Sequence, residues 1–373
     1  MKRFVLSVLF VLFSSSVFAD SFPAYSNLSP AMRACISKKA GRDVLAKLES
    51  GLDPGDSSGA VKADKFYAHC LLKLNEKLPE EVGFYAGPYF DAMSQIDEKV
   101  RMGRAIERVR EAGVDKLALF ARSRKKLGQN ERAVLRLAAD NNDLIILGAP
   151  KYFRHKKDIG NSYSSAMLKG IEKHGYKFVG EILYTHGDKK SGASYASGER
   201  YTDPSLPGTD RFLSRLEEKN IPLMTHFEVY APDRDFHRFH DLYERWPGQI
   251  FIIPHMAFGS PQQVDEFLSR HDNVYMTMSK KAVKMDNFRD SDKLAMTGSA
   301  MLVGLSLKPE WLEILIKHQD RILAATDAHM KKLWSEYPTH VFLSRVVLGQ
   351  LPKEVAQKIA YKNAERVYGV KIQ

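Results

Sequence analysis

The chain has 373 residues, 44% of them hydrophobic and 27% charged. These are ordinary proportions for a globular protein, and they argue against a mainly disordered, collagen-like or disulfide-dense chain. Lys and Arg total 56 against 45 acidic residues, a formal net charge of +11, which points to nucleic acid, an anionic surface or an anionic substrate. At roughly 100–200 residues per domain the length suggests two domains, although one α/β barrel alone runs to about 250.

The chain opens with Met1-Lys2-Arg3, an apolar run from Phe4 to Phe13, and small residues up to Ala19. This is the form of a secretory signal peptide, with cleavage expected after Ala19 and a periplasmic or secreted mature chain; an uncleaved anchor is the alternative. No lipobox Cys follows. Loss of Lys2 and Arg3 leaves a net charge of +9. Residues 20–87 read as a helical segment, with helical apolar spacing over Pro30–Leu48 and Ala63–Leu78 and a turn-rich connector at Gly51–Gly59. Its Cys35 and Cys70 are the only cysteines. In an oxidising compartment they can form one disulfide between two helices; two buried thiols are the other reading.

From residue 88 to 373 strands and helices alternate. The predicted strands are Tyr89–Ile96, Lys116–Ala121, Leu144–Ala149, Phe178–Tyr184, Ile221–Glu228, Ile250–Met256, Val274–Ser279 and Ile322–Ala328. Helices are predicted at Asp97–Ala112, Glu131–Asp140, Ser164–His174, Arg234–Trp246, Pro261–Arg270, Thr339–Leu348 and Pro352–Tyr368. Such alternation implies a parallel sheet, and eight units suit a closed α/β barrel of the (β/α)8 TIM type. A doubly wound open sheet is the alternative, but no Gly-rich phosphate turn follows the first strand. Long connections at 185–207 and 281–308 are candidate lids.

Barrel chemistry sits where strands end. The fourth strand carries Glu181, the fifth ends on His226, the sixth on His255 and the eighth on Asp327. Each stands in an apolar strand, where an unpartnered charge is costly. Any one of them alone reads as a structural residue, such as a helix cap or half of an ion pair. Together, two imidazoles and two carboxylates on one rim suit Zn²⁺ or a similar divalent ion, with a carboxylate to take a proton. Around them, His186 could polarise substrate or complete the metal shell. Lys280, Lys281 and Arg200 could meet an anion. His329 could orient Asp327 or reach substrate, and Glu228 could support His226. His237 and His240 read as a surface face, and Met276 and Met278 as barrel packing.

The motifs Phe90-Asp91-Ala92-Met93-Ser94-Gln95, Val179-Gly180-Glu181, Thr225-His226, Pro254-His255, Thr326-Asp327-Ala328 and the ending Lys358 to Gly369 occur in this order. Through them residues 88–370 resemble the amidohydrolase superfamily, in its amidohydrolase-related branch. The resemblance implies a metal-assisted hydrolase barrel with His226 and His255 as ligands, Glu181 at the fourth-strand ligand position and Asp327 as ligand or general base. It also shows a departure: the family's first-strand His-x-His reads Met93-Ser94-Gln95 here. A thioether is a poor ligand for such an ion and an amide oxygen a weak one. Glu181, His226 and His255 would then hold one ion, Zn²⁺ first and Mn²⁺ or Ni²⁺ after it, with Gln95 facing substrate.

The leading expectation is thus a metal-dependent hydrolase of a small, anionic ester, lactone, amide or phosphoester. A non-oxidative decarboxylase on the same rim, or a barrel that binds without turnover, are the alternatives. Nucleic acid is the weakest partner, because the basic residues are dispersed and interleave no aromatic stripe. Stable membrane insertion after cleavage is not expected, and homodimer formation is left open.

Overall fold

The computed structural model describes residues 23–50, 58–123, 128, 130–152, 159–186, 200–201, 203–229, 236–279 and 300–372. The expected signal peptide lies outside them. Among the described residues no helix is long and apolar enough to cross a membrane.

After a short helical turn at Pro23–Ser26 come helices α1 (Pro30–Ala40), α2 (Arg42–Glu49) and α3 (Ser58–Leu74). The single helix predicted over Pro30–Leu48 is broken at Gly41, whose φ of 108° few other residues tolerate. Cys35 and Cys70 form a disulfide between α1 and α3. Asp64 on α3 is buried and accepts hydrogen bonds from the Tyr25 hydroxyl and the Leu305 backbone N–H, each at 3.0 Å. It ties the helical segment to the hairpin of Leu302–Val303 and Ser306–Leu307.

The barrel strands are β1 (Phe90–Ile96), β2 (Lys116–Ser123), β3 (Ile145–Tyr152), β4 (Val179–Leu183), β5 (Leu223–His226), β6 (Phe251–Ile253), β7 (Val274–Thr277) and β8 (Ile322–Leu323). They pair in parallel in this order, each with the next. The two ends of the sheet meet through backbone hydrogen bonds from Ala92 to Ala324 (2.9 Å), Asp327 to Met93 (2.8 Å) and Gln95 to Ala328 (2.8 Å). The fold is therefore the (β/α)8 barrel, nearly closed by hydrogen bonds. Connecting helices include α4 (Met102–Glu111), α5 (Glu131–Ala139), α6 (Asn161–His174), α7 (Pro207–Glu218), α8 (Phe236–Arg245), α9 (Pro261–Arg270), α10 (Pro309–Lys317) and α11 (Tyr337–Gly349). Local sequence explains their starts and faces. α9 begins with a reciprocal cap between Ser260 and Gln263 and has Pro261 in its first turn. α4 buries Ala105, Ile106 and Val109 on one face.

Two apolar layers result. Helices cover the outside of the sheet. Inside, Phe90, Phe120, Phe178, Met224, Ile252 and Leu323 fill the barrel. Its floor is closed by Tyr368 from the C-terminal helical run, whose ring lies 5.6 Å from Phe90 and 5.0 Å from Phe178 and whose hydroxyl donates to the Ala92 carbonyl at 2.7 Å. Gly148 and Gly180 leave room for these rings: a Cβ on Gly148 would lie 2.3 Å from Phe178, and one on Gly180 2.7 Å from Phe120. This dry plug leaves the polar residues one place to gather, the opposite mouth.

Candidate metal centre at the mouth of the barrel

The strand ends deliver their polar side chains to one buried cluster. Glu181 (β4), His226 (β5) and His255 (after β6) are all buried, with one potential ligand atom from each lying within 4.8 Å of the others. His226 makes hydrogen bonds through both ring nitrogens, Nδ1 with Glu181 Oε1 at 2.5 Å and Nε2 with Glu228 Oε1 at 3.1 Å. Both partners are carboxylates, so without an ion both nitrogens donate. Burial alone would lower the His226 pKa, but Glu181 and Glu228 raise it.

His255 is presented by an unusual turn. The sixth strand, predicted to run to Met256, stops at Ile253. His255, Met256, Ala257 and Phe258 then follow one another at φ values of 58°, 49°, 52° and 56°. Four successive non-glycine residues in the left-handed region are costly, of order 1–2 kcal/mol each, and such strain is characteristic of functional sites. The turn is held by hydrogen bonds from His255 N to Thr277 Oγ1 (3.1 Å) and from Val229 N to the Ala257 carbonyl (3.0 Å). His255 Nδ1 meets Ser279 Oγ at 2.8 Å, while Nε2 lies 3.6 Å from Asp327 Oδ2.

Asp327, also left-handed at φ 48°, accepts from His329 Nδ1 at 3.1 Å through Oδ2 and from Gln95 Nε2 at 2.7 Å through Oδ1. Gln95 Nε2 reaches Glu181 Oε2 as well, at 3.1 Å. Two acceptor-only partners fix the orientation of the amide, nitrogen toward the carboxylates. Gln95 Oε1 is buried and has no hydrogen-bond partner among the described residues.

The sequence reading missed Lys151. Its ammonium is buried and hydrogen-bonded to Glu181 Oε2. The third strand was expected to end at Ala149 but runs through Pro150 to Tyr152, carrying Lys151 to the mouth. Burial would raise the Glu181 pKa, but the Lys151 ammonium and His226 hold it well below the usual carboxylate range. Arg122 and Ser279 were missed too. Arg122, at the end of β2, reaches Asp97 Oδ2 at 3.5 Å and the His329 carbonyl at 3.3 Å.

Glu181, His226, His255, Asp327, Gln95 and His329 thus stand together, with Glu228 behind His226. His186 and Arg200 are backbone partners in a short antiparallel pair after β4, with their side chains outside the described atoms. Lys280 and Lys281 lie outside the described residues, as does the His237 side chain. Met276 and Met278 are buried. The surface reading of His240 is corrected: it is buried, its Nδ1 lies 2.5 Å from His271 Nε2, and its ring stacks on Phe267 at 4.5 Å.

A family model described as amidohydrolase matches residues 168–370. Among solved structures, one described as a "putative 2-pyrone-4,6-dicarboxylic acid hydrolase" from Pseudomonas putida is 14% identical, with 77% of this chain and 99% of that one covered at a TM-score of 0.53. One described as a "probable 2-pyrone-4,6-dicarboxylic acid hydrolase" from Acinetobacter baumannii, with citric acid bound, is 13% identical, with 76% and 100% covered at 0.50. A 2,6-dihydroxybenzoate decarboxylase from Rhizobium is 14% identical, with 76% and 99% covered at 0.45. At these identities the likeness concerns the fold. A search of curated proteins returns no match.

Proposed function

The chain belongs to the amidohydrolase family, and from that premise we propose that it is a metal-dependent hydrolase using one divalent ion, Zn²⁺ first among candidates. The observation that carries this reading is the way the outer ring nitrogens are occupied. Glu228 takes His226 Nε2 and Ser279 takes His255 Nδ1. His226 Nδ1 and His255 Nε2 are left toward Glu181 and Asp327. Metal-binding histidines are oriented in this manner, by a hydrogen bond from the nitrogen that does not bind. Two imidazoles and a carboxylate also match the ligand chemistry of a catalytic zinc site with an open position.

Such an ion supplies Lewis acidity, polarising a substrate carbonyl or phosphoryl oxygen and lowering the pKa of water toward about 7. The chain's own groups do the rest. Asp327, steadied by His329 and Gln95, accepts the proton of the attacking water and returns it to the leaving group. Gln95 Oε1 accepts a hydrogen bond from substrate. The aromatic floor excludes water from below.

The substrate in this proposal is a small anionic ester, lactone, amide or phosphoester. His186, Arg200 and Lys280 are assigned to its polar and anionic groups on the strength of their places in the connections after β4 and β7. The Cys35–Cys70 bond supports an oxidising, periplasmic or secreted location, which an N-terminus at Asp20 in secreted material would establish.

The test is the metal content of the purified mature protein beside Glu181→Ala and His255→Ala, followed by hydrolysis of an ester and lactone panel. About one equivalent in the wild type, lost in both variants, supports the reading. A wild type that takes up no metal after reconstitution with Zn²⁺, Mn²⁺ or Ni²⁺ refutes it.

A further inference from the structure

We propose that Lys151 is a built-in cation that, with the Gln95 amide, takes the place of a second metal ion and limits this centre to one. The inference rests on the one-ion reading above. The cluster divides into two halves according to what its nitrogens can offer. On one side are ring nitrogens that offer a lone pair once their proton is released: His226 Nδ1 and His255 Nε2, with Glu181 Oε1 and Asp327 Oδ2 beside them. On the other side Lys151 Nζ and Gln95 Nε2 converge on Glu181 Oε2, and Gln95 Nε2 spans to Asp327 Oδ1.

An ammonium and an amide NH₂ present hydrogens and no lone pair. They occupy Glu181 Oε2 and Asp327 Oδ1, the carboxylate oxygens not turned toward His226 and His255. The first strand confirms the division, since Met93 is fully buried within the barrel core and Gln95 turns its nitrogen, not its oxygen, to the carboxylates.

Charge points the same way. Three buried carboxylates, Glu181, Glu228 and Asp327, lie in the cluster. The Lys151 ammonium offsets one of them, and one divalent ion matches the remaining two. A second divalent ion would stand against an ammonium in a low-dielectric site, where like charges repel strongly. Lys151 is on this view a resident positive charge beside the centre, held in place by Glu181 Oε2.

The test is direct ion counting by mass spectrometry, with Zn²⁺ affinity measured against a competing chelator, on wild type, Lys151→Met and Gln95→His. Thermal melting confirms folding. The wild type is expected to saturate at one Zn²⁺. Lys151→Met is expected to bind its first Zn²⁺ at least tenfold more tightly, because a neighbouring positive charge is gone. Gln95→His alone is expected to stay at one ion, because the ammonium remains, and Gln95→His with Lys151→Met to take two. Unchanged or weaker affinity in folded Lys151→Met overturns the proposal while leaving the one-ion reading in place. So does a second ion in Gln95→His, a variant that keeps the proposal falsifiable should Lys151→Met fail to fold. Absence of any ion from the wild type overturns the one-ion reading itself, and this inference with it.

Discussion

Replacing Asp91 tests how the barrel seam holds the site. Asp91 is fully buried at the junction of β1 and β8. Its Oδ1 accepts from the backbone N–H groups of Thr326 (2.9 Å) and Met93 (3.2 Å). Its Oδ2 accepts from the hydroxyls of Thr326 (2.7 Å), Tyr337 (2.8 Å) and Ser94 (2.9 Å). In Asp91→Ala the Ser94 and Thr326 hydroxyls, 2.9 Å apart, can still bond each other. The two backbone N–H groups and the Tyr337 hydroxyl lose their partner in a dry interior. At about 1–3 kcal/mol for each stranded group, the loss is about 3–9 kcal/mol, a large share of the 5–15 kcal/mol that usually separates folded from unfolded.

Asp91→Asn is different. The amide oxygen can accept from both backbone N–H groups, and the NH₂ can donate to hydroxyl oxygens that turn to receive it. Burial already pushes the Asp91 carboxyl pKa up, so loss of the charge costs little, and a change under about 1 kcal/mol is expected. Urea unfolding of both variants at neutral pH reads the difference. An Asp91→Ala variant within about 1 kcal/mol of wild type would show that the seam does not depend on this carboxyl. An Asp91→Asn variant as damaged as Asp91→Ala would show that the seam needs the charge, and the hydrogen-bond argument would be wrong.

Burial lifts the Asp64 carboxyl to about 7, against hydrogen bonds from Tyr25 and Leu305. The folded chain therefore holds this proton where the unfolded chain has released it. Stability should rise as pH falls from about 7 toward 4, and the buried charge should cost on the order of 4 kcal/mol above that window. Asp64→Asn should flatten this part of the stability–pH curve, and a curve that keeps the wild-type slope would refute the assignment. The Cys35–Cys70 bond closes a sequence separation of 35 residues, for which chain entropy gives about 4 kcal/mol. Cys35→Ser with Cys70→Ser should lower the unfolding free energy by up to that amount in urea, and unchanged stability would show that the helical segment is held by its contacts alone.

The barrel was legible because its strands are apolar runs separated by amphipathic helices, a pattern that burial on both faces of a parallel sheet imposes. Glu181, His226, His255 and Asp327 were legible for the same reason: each interrupts an apolar strand end, and a polar interruption needs a partner. Lys151 escaped by the converse of that logic. Proline normally ends a strand, and the predicted third strand stops at Ala149, just before Pro150. In the fold Lys151 and Tyr152 still pair with Arg122 and Ser123 of β2, and the extra residues bring an ammonium to Glu181 instead of to water. Nothing local marks such a lysine, because its meaning lies in a carboxylate 30 positions away.

His240 misled through its own chemistry. An imidazole counts as polar in a helical pattern, yet its ring has an apolar face that stacks on Phe267 while its edge meets His271. The left-handed turn at His255 is a third case. No glycine or asparagine announces it, because it is imposed by Thr277 and Val229 from neighbouring strand ends. What the sequence withholds here is long-range: the counter-ion, the stacking partner and the backbone strain each belong to a pair of residues, and only the closed barrel brings the pair together.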